Sequence, residues 1–202
     1  MWALDPKRME LSFGRALFHR YACQAAAMVE LLEAAVAEMH DRAELFGGRT
    51  RTFTPSFEFP FLVVLVDELA FLTAYQPDRD LRKRAEAAIA TLTSQGRSVG
   101  VCVVGALQDP RKDVISLRNL FPTRVALRLD ESDQVDMVLG DGARDRGALA
   151  DEISPLPYTG AGVGYVRLEA SHDPVRVRAA YVTDLDIDAM AEAIPYLPGG
   201  AA

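Results

Sequence analysis

Two adjacent carboxylates, Asp67 and Glu68, follow six consecutive apolar residues, 61–66 (FLVVLV). A run of this length, rich in Val and Leu, reads as a strand buried on both faces of a parallel sheet. Ligands of open α/β sheets bind at the carboxyl ends of such strands. There, one carboxylate can hold Mg²⁺ through water while the other polarises an attacking water. Any buried strand must end in something polar, so the pair alone does not decide a function. The glycine-rich lysine loop that such a pair normally serves, G-x-x-x-x-G-K-[ST], occurs nowhere in the 202 residues. Gly47-Gly48-Arg49-Thr50 is the nearest imitation, and it lacks the first glycine and the lysine.

The elements that must position the pair alternate between buried strands and amphipathic helices. Residues 2–4 form a short apolar start, broken by Asp5-Pro6. Over 25–46, Met28, Leu31, Leu32, Ala35, Val36, Met39 and Ala43 recur at helical spacing, and Gly47-Gly48 ends the helix. Residues 49–59 carry no helical period and read as a loop, where Arg42, Arg49 and Arg51 make the most basic patch. After the strand at 61–66, Asp78 or Asp80 opens a helix with Leu81, Ala85, Ala88, Ile89 and Leu92 inward. A second buried strand at 99–104 leads into a loop at 107–110, then a helical turn at 114–120.

In 123–129 (TRVALRL), Val125, Leu127 and Leu129 alternate with Arg124, Ala126 and Arg128, as in a strand near an edge or interface. Ser132 is positioned to cap a helix that holds Val135, Met137, Val138 and Leu139 and stops at Gly140. Residues 162–168 and 174–182 read as a hairpin, and Asp184 opens a last helix with Ile187, Met190 and Ile194. The pattern predicts an α/β fold with a mainly parallel sheet, flanking helices and a C-terminal β-hairpin.

Composition narrows the functions. A 50% hydrophobic chain of this length supports one sizeable core. A net charge of −7 argues against holding nucleic acid through the overall field, so any DNA contact must be local. Cys23 and Cys102 are isolated, as expected of reduced thiols, and His19, His40 and His172 lack metal-ligand spacing. No segment approaches the roughly 20 apolar residues of a membrane span. The chain is expected to be cytoplasmic.

Three stretches in order, LDPKRMELS (4–12), VVLVDELAFL (63–72) and LQDPRKDVISLRNLFPTRVALRL (107–129), resemble the motor domain of FtsK/SpoIIIE-type DNA translocases. LGDGA (139–143) and GVGYVRL (162–168) extend the likeness, which looks closest to the actinobacterial branch that moves plasmid or integrative-element DNA between cells. The resemblance implies a RecA-like P-loop ATPase core, ATP and Mg²⁺ as cofactors, a hexamer, and double-stranded DNA as partner. By position, Asp67 inherits the Mg²⁺ role and Glu68 the activation of water. Gln108 matches the sensor of the γ-phosphate, Arg124 matches a finger reaching a neighbouring subunit's nucleotide, and Arg97 matches an arginine at the subunit boundary.

Two departures stand out. Asp109 replaces the Arg that follows the sensor glutamine in the family. In addition, the phosphate loop (Walker A) belongs upstream of residue 4, so the expected object is an incomplete RecA-like core. Residues 1–184 would then be a partial motor domain with Walker B alone, and 185–202 a short helix and loose tail. A truncated product, a misplaced start or an excised segment explains this most simply. Such a chain is expected not to hydrolyse ATP by itself. The alternative is a non-catalytic remnant acting as a subunit-interaction or regulatory module.

Overall fold

The computed structural model describes residues 1–110, 117–171 and 173–193. In chain order its elements are β1 (Trp2–Leu4), α1 (Glu10–Phe13), β2 (Arg20–Ala22), α2 (Ala25–Phe46), β3 (Leu62–Val66), α3 (Leu69–Leu72), α4 (Arg79–Gln95), β4 (Val101–Gly105), β5 (Arg124–Ala126), α5 (Ser132–Leu139), α6 (Pro157–Gly160), β6 (Val163–Arg167), β7 (Val175–Arg178) and α7 (Asp184–Ala193). Two compact units result: Met1–Gln108 with the chain from Thr183 onward, and Asp109–Val182.

The first unit is built on a parallel sheet of order β2-β1-β3-β4. Its inner strands bury Ala3, Leu4, Val64 and Val66 completely. Helices α2 and α4 pack along each other and contribute Met28, Leu32, Ala35, Ile89 and Leu92 to the core. An Arg84 fork onto both Glu33 carboxylate oxygens, 2.8 Å each, joins the two helices at their surface. Asp78 caps α4 by accepting from the amides of Asp80 and Leu81. Strand β4 is an edge strand although its sequence, VCVVG, has the unbroken apolar character of an interior one, and Val104 is half exposed. No helix among the described residues is long and apolar enough to cross a membrane.

Several sequence expectations change here. Ala43 is exposed, whereas Arg42, assigned to the basic patch, is only 5% exposed. Its guanidinium bonds Glu38, the Pro60 carbonyl and the Val99 carbonyl, tying α2 to the starts of β3 and β4. The chemistry is structural: the arginine satisfies two backbone carbonyls that the sheet leaves over. Cys102 is half-buried, with burial raising its thiol pKa, and Cys23 is likewise intermediate. Helix α7 buries no residue completely, though Ile187 lies beside Gly14. Ile194, His172 and the 114–116 part of the expected helical turn lie outside the described residues.

The second unit is an antiparallel sheet of order β5-β6-β7 covered on one face by α5 and the turns around it. The expected hairpin is β6 and β7, paired from Val163↔Arg178 to Val166↔Val175. In β5 the buried side chain is Ala126, while Val125 and Leu127 are 53% and 59% exposed. Ala126, not Val125 or Leu127, therefore faces the core, while Arg128 is exposed and Leu129, beyond the strand, packs against the core. Its register explains this: Ala126 stands opposite Tyr165, which packs with Val135 and Leu139 of α5. Glu131, one residue before the expected Ser132, is the cap of α5, and its amide is held by the Gln134 side chain at 3.3 Å.

Candidate active site at the strand ends

The register of β1 on β3 pairs Leu4 with Val66, so the residues just beyond each strand, Asp5 and Asp67, emerge side by side at the carboxyl end of the sheet. Backbone bonds continue the ladder past the strands: Asp67 N donates to Leu4 O at 3.0 Å and Asp5 N to Ala22 O at 2.9 Å. Both carboxylates are thus mounted on backbone that the sheet's hydrogen bonds hold in place. Asp5 is fully buried, with Oδ1 accepting from the Arg8 amide at 2.7 Å and Oδ2 from the Tyr21 hydroxyl at 2.9 Å. Burial, reinforced by that bond to Asp5, pushes the Tyr21 pKa up to about 12. The Asp5-Pro6-Lys7-Arg8 turn forces Arg8 to φ +58°, a left-handed conformation that L-residues seldom adopt.

Oδ2 of Asp67 is buried and has no hydrogen-bond partner among the described residues. The Lys7 ammonium lies 3.4 Å from it, an ion pair without hydrogen-bond geometry. One carboxylate oxygen each from Asp5, Glu10 and Asp67 come within 4.8 Å of one another. An all-oxygen set with one unsatisfied buried carboxylate oxygen fits a hard divalent cation such as Mg²⁺.

Glu68 points elsewhere. Its carboxylate accepts from the Ala70 amide at 3.3 Å, capping the short α3, and from the Gln108 backbone amide. Burial raises its pKa, and those amides and Lys7 partly oppose the rise. A carboxylate held this way is a stronger base than a solvated one. Gln108 itself is exposed in the loop after β4, so its backbone and Glu68 meet at the same end of the sheet.

Arg97 is not brought to this place. It lies in the turn before β4, at the amino end of the sheet, in a groove with Arg51, Phe53, Phe61 and Ser94. A five-residue strand, about 16 Å long, separates the two ends. Arg124 belongs to the second unit, where its Nε donates to Phe121 O at 2.9 Å and Nη1 to Val138 O at 3.3 Å. Asp5, Lys7 and Glu10 were not expected as site residues. The available signal was that 4–12 is among the stretches carrying the family resemblance.

No family model matches the chain. It is 27% identical to the DNA translocase FtsK of Listeria monocytogenes over 93% of this chain and 26% of the relative. Identity to the DNA translocase SftA of Bacillus subtilis is 29% over 92% of this chain and 19% of that one. The chain is similar to the FtsK-type DNA translocases. Across 93% of its length, the FtsK-type likeness necessarily includes residues of both units. Against the FtsK of Mycobacterium leprae, identity is 30% over 72% of this chain and 15% of the relative. The chain therefore spans about a quarter or less of the FtsK-type relatives it matches.

Solved structures agree on the fold. The pCW3 conjugation coupling protein TcpA, in monomer form with ATPγS, matches with a TM-score of 0.75 at 22% identity, over 95% of this chain and 55% of that one. The cytoplasmic domain of the Type VII secretion ATPase EccC of Thermomonospora curvata matches with a TM-score of 0.66 at 20% identity, over 98% of this chain and 25% of that one. The fold is the mixed α/β fold of these ATPases.

Proposed function

We propose that the chain is part of an ATP-driven double-stranded DNA translocase motor and contributes the acidic half of its nucleotide site. The observation that carries this reading is the buried, hydrogen-bond-free oxygen of Asp67 beside Asp5 and Glu10, with Glu68 raised in pKa next to it. Similarity to FtsK-type translocases over most of the chain supports it. In this reading residues 1–184 form a partial motor domain, the protein acts in the cytoplasm, and copies assemble as a hexamer on DNA.

Asp67 would hold Mg²⁺ through water, and the nearby carboxylates of Asp5 and Glu10 would add negative charge. When bound, Mg²⁺ neutralises charge on phosphoryl oxygens of ATP. Glu68 orients a water and accepts its proton, a role its raised pKa suits. The side chain of Gln108 reads the γ-phosphate while its backbone amide steadies Glu68. Arg97 and Arg124 serve a neighbouring copy's nucleotide, and the placement of Arg97 at the opposite sheet end suits action across a boundary.

The sequence contains no G-x-x-x-x-G-K-[ST] loop, and among the described residues no strand pairs with the outer edge of β4. We therefore infer that a phosphate-cradling strand and helix must be supplied from outside residues 1–202, and that these residues alone do not turn over ATP. The Lys7 contact with Asp67 favours a second reading, a non-catalytic subunit-interaction or regulatory module, because the ammonium competes with a metal ion for that oxygen. The deciding experiment supplies the P-loop strand and helix of a relative as an N-terminal fusion and measures ATP hydrolysis with and without duplex DNA. DNA-stimulated turnover supports the motor reading; a folded fusion without turnover supports the module.

A further inference from the structure

Three guanidiniums converge on the last turn of the eight-residue α5. Arg118 Nη1 donates to Met137 O at 3.3 Å, Arg124 Nη1 to Val138 O at 3.3 Å, and Arg167 Nη1 to Leu139 O at 3.1 Å. Three arginines therefore cover three successive carbonyls. Gly140 makes room: its φ is +99°, and a Cβ there would lie 2.6 Å from Arg167 Nη1. Arg124 and Arg167 also stand directly opposite each other across β5 and β6.

Capping alone does not account for this arrangement. A helix C-terminus offers roughly half a negative charge, less than the two guanidiniums of Arg118 and Arg124 bring to it. Like charges directly opposite on paired strands destabilise the sheet. No carboxylate pairs with Arg118 or Arg124 among the described residues. Burial and the neighbouring Arg167 and Arg118 all disfavour the charged form of Arg124, which marks a positive local potential inside an acidic chain. Arg124 spends Nε and one Nη1 proton on Phe121 O and Val138 O, which leaves its Nη2 edge without a partner among the described residues. Among the described residues Arg118 likewise uses only Nη1. Each residue is partly exposed, so a small ligand has access.

We propose that Arg118, Arg124 and Arg167 form a binding site for a phosphoryl oxyanion, seated against the guanidinium edges of Arg118 and Arg124 that the helix carbonyls do not use. Guanidinium forks match the spacing of carboxylate and phosphate oxygens alike. Two guanidinium forks together select the multiply charged, tetrahedral anion over a single carboxylate. A phosphoryl group of this kind is offered by a nucleotide polyphosphate or by a nucleic-acid backbone. For Arg124 the inference rests on the proposed nucleotide-facing role and adds Arg118 and Arg167 to it; its readout is anion binding rather than ATP turnover, so its failure is distinguishable from failure of the motor reading.

The test uses the whole chain and inorganic pyrophosphate, followed by isothermal titration calorimetry at constant ionic strength, with sulfate and chloride as references. Saturable pyrophosphate binding is expected, weakened about tenfold or more in Arg118→Gln and Arg124→Gln, and unchanged in Arg128→Gln, whose side chain pairs with Asp130 outside the cluster. Magnesium-free ADP and a short DNA duplex are then added as competitors: displacement by ADP alone identifies the nucleotide source, and displacement by duplex the backbone. Loss of melting temperature without anion in a variant reports only the capping of α5. Arg118→Gln, which gives up a single bond, keeps the test available if Arg124→Gln does not fold. Absence of pyrophosphate binding, equal response to chloride, or undiminished binding in a folded variant overturns the proposal.

Discussion

Lys7 Nζ lies 3.4 Å from the buried Oδ2 of Asp67, across the join between the ends of β1 and β3. The same carboxylate brings one oxygen within 4.8 Å of an oxygen from Asp5 and one from Glu10, where a divalent cation would bind. Lysine and metal are therefore alternatives at Asp67.

Replacing Lys7 with Met removes the competitor while keeping an apolar stem. Binding of Mn²⁺ as a Mg²⁺ surrogate, followed by electron paramagnetic resonance, should tighten by roughly threefold to tenfold, the size of about 1 kcal/mol of ion-pair competition. Asp67→Asn in the same background should abolish the gain. Unchanged Mn²⁺ affinity in Lys7→Met would show that the ammonium does not guard the site.

The pH dependence of Glu68 has a definite sign. Its pKa is raised above the ordinary 4.5 in the folded state, so the native protein holds that proton more tightly than the unfolded chain. The stabilisation from protonation is present below pH 4.5 and is lost as pH rises toward the folded value. Glu68→Gln should therefore gain stability over the parent as pH increases from about 4.5, with little difference at lower pH. Urea unfolding at a series of pH values measures this; a pH-independent difference would contradict it.

Arg42→Ala should cost about 2–4 kcal/mol in chemical unfolding, because Pro60 O and Val99 O lose their shared donor in a buried setting. A loss under about 0.5 kcal/mol, typical of surface sites, would show that water replaces the guanidinium.

Much of the scaffold was legible because strong periodicity survives tertiary context. The apolar spacing over 25–46 marks both ends of α2, and the Asp78 cap and Gly96 bound α4. Short elements were not legible: β2 is three residues, RYA, whose strand character comes only from pairing with β1. Alternation in β5 showed a strand but not which face is buried, since Ala126 opposite Tyr165 decides that. For the site, Asp67 and Glu68 announce themselves after an apolar run. Asp5, Lys7 and Glu10 do not, because their nearness to Asp67 depends on the parallel pairing of β1 with β3, roughly 60 residues apart.

Strand β4, at the edge of the sheet among the described residues, carries no Lys, Pro or bulge of the kind that protects natural sheet edges. Residues 1–202 are expected to self-associate, and Val104→Lys to shift sedimentation toward monomer. A stable monomer in dilute sedimentation without the substitution would contradict this.

The most direct test of the account asks whether Glu68 does chemistry once a phosphate cradle is present. In the fusion carrying a relative's P-loop strand and helix, DNA-stimulated ATP turnover is expected, and Glu68→Gln should lower it by roughly 10²-fold or more while leaving nucleotide affinity near unchanged. Equal turnover in the parent fusion and in its Glu68→Gln variant would contradict the account.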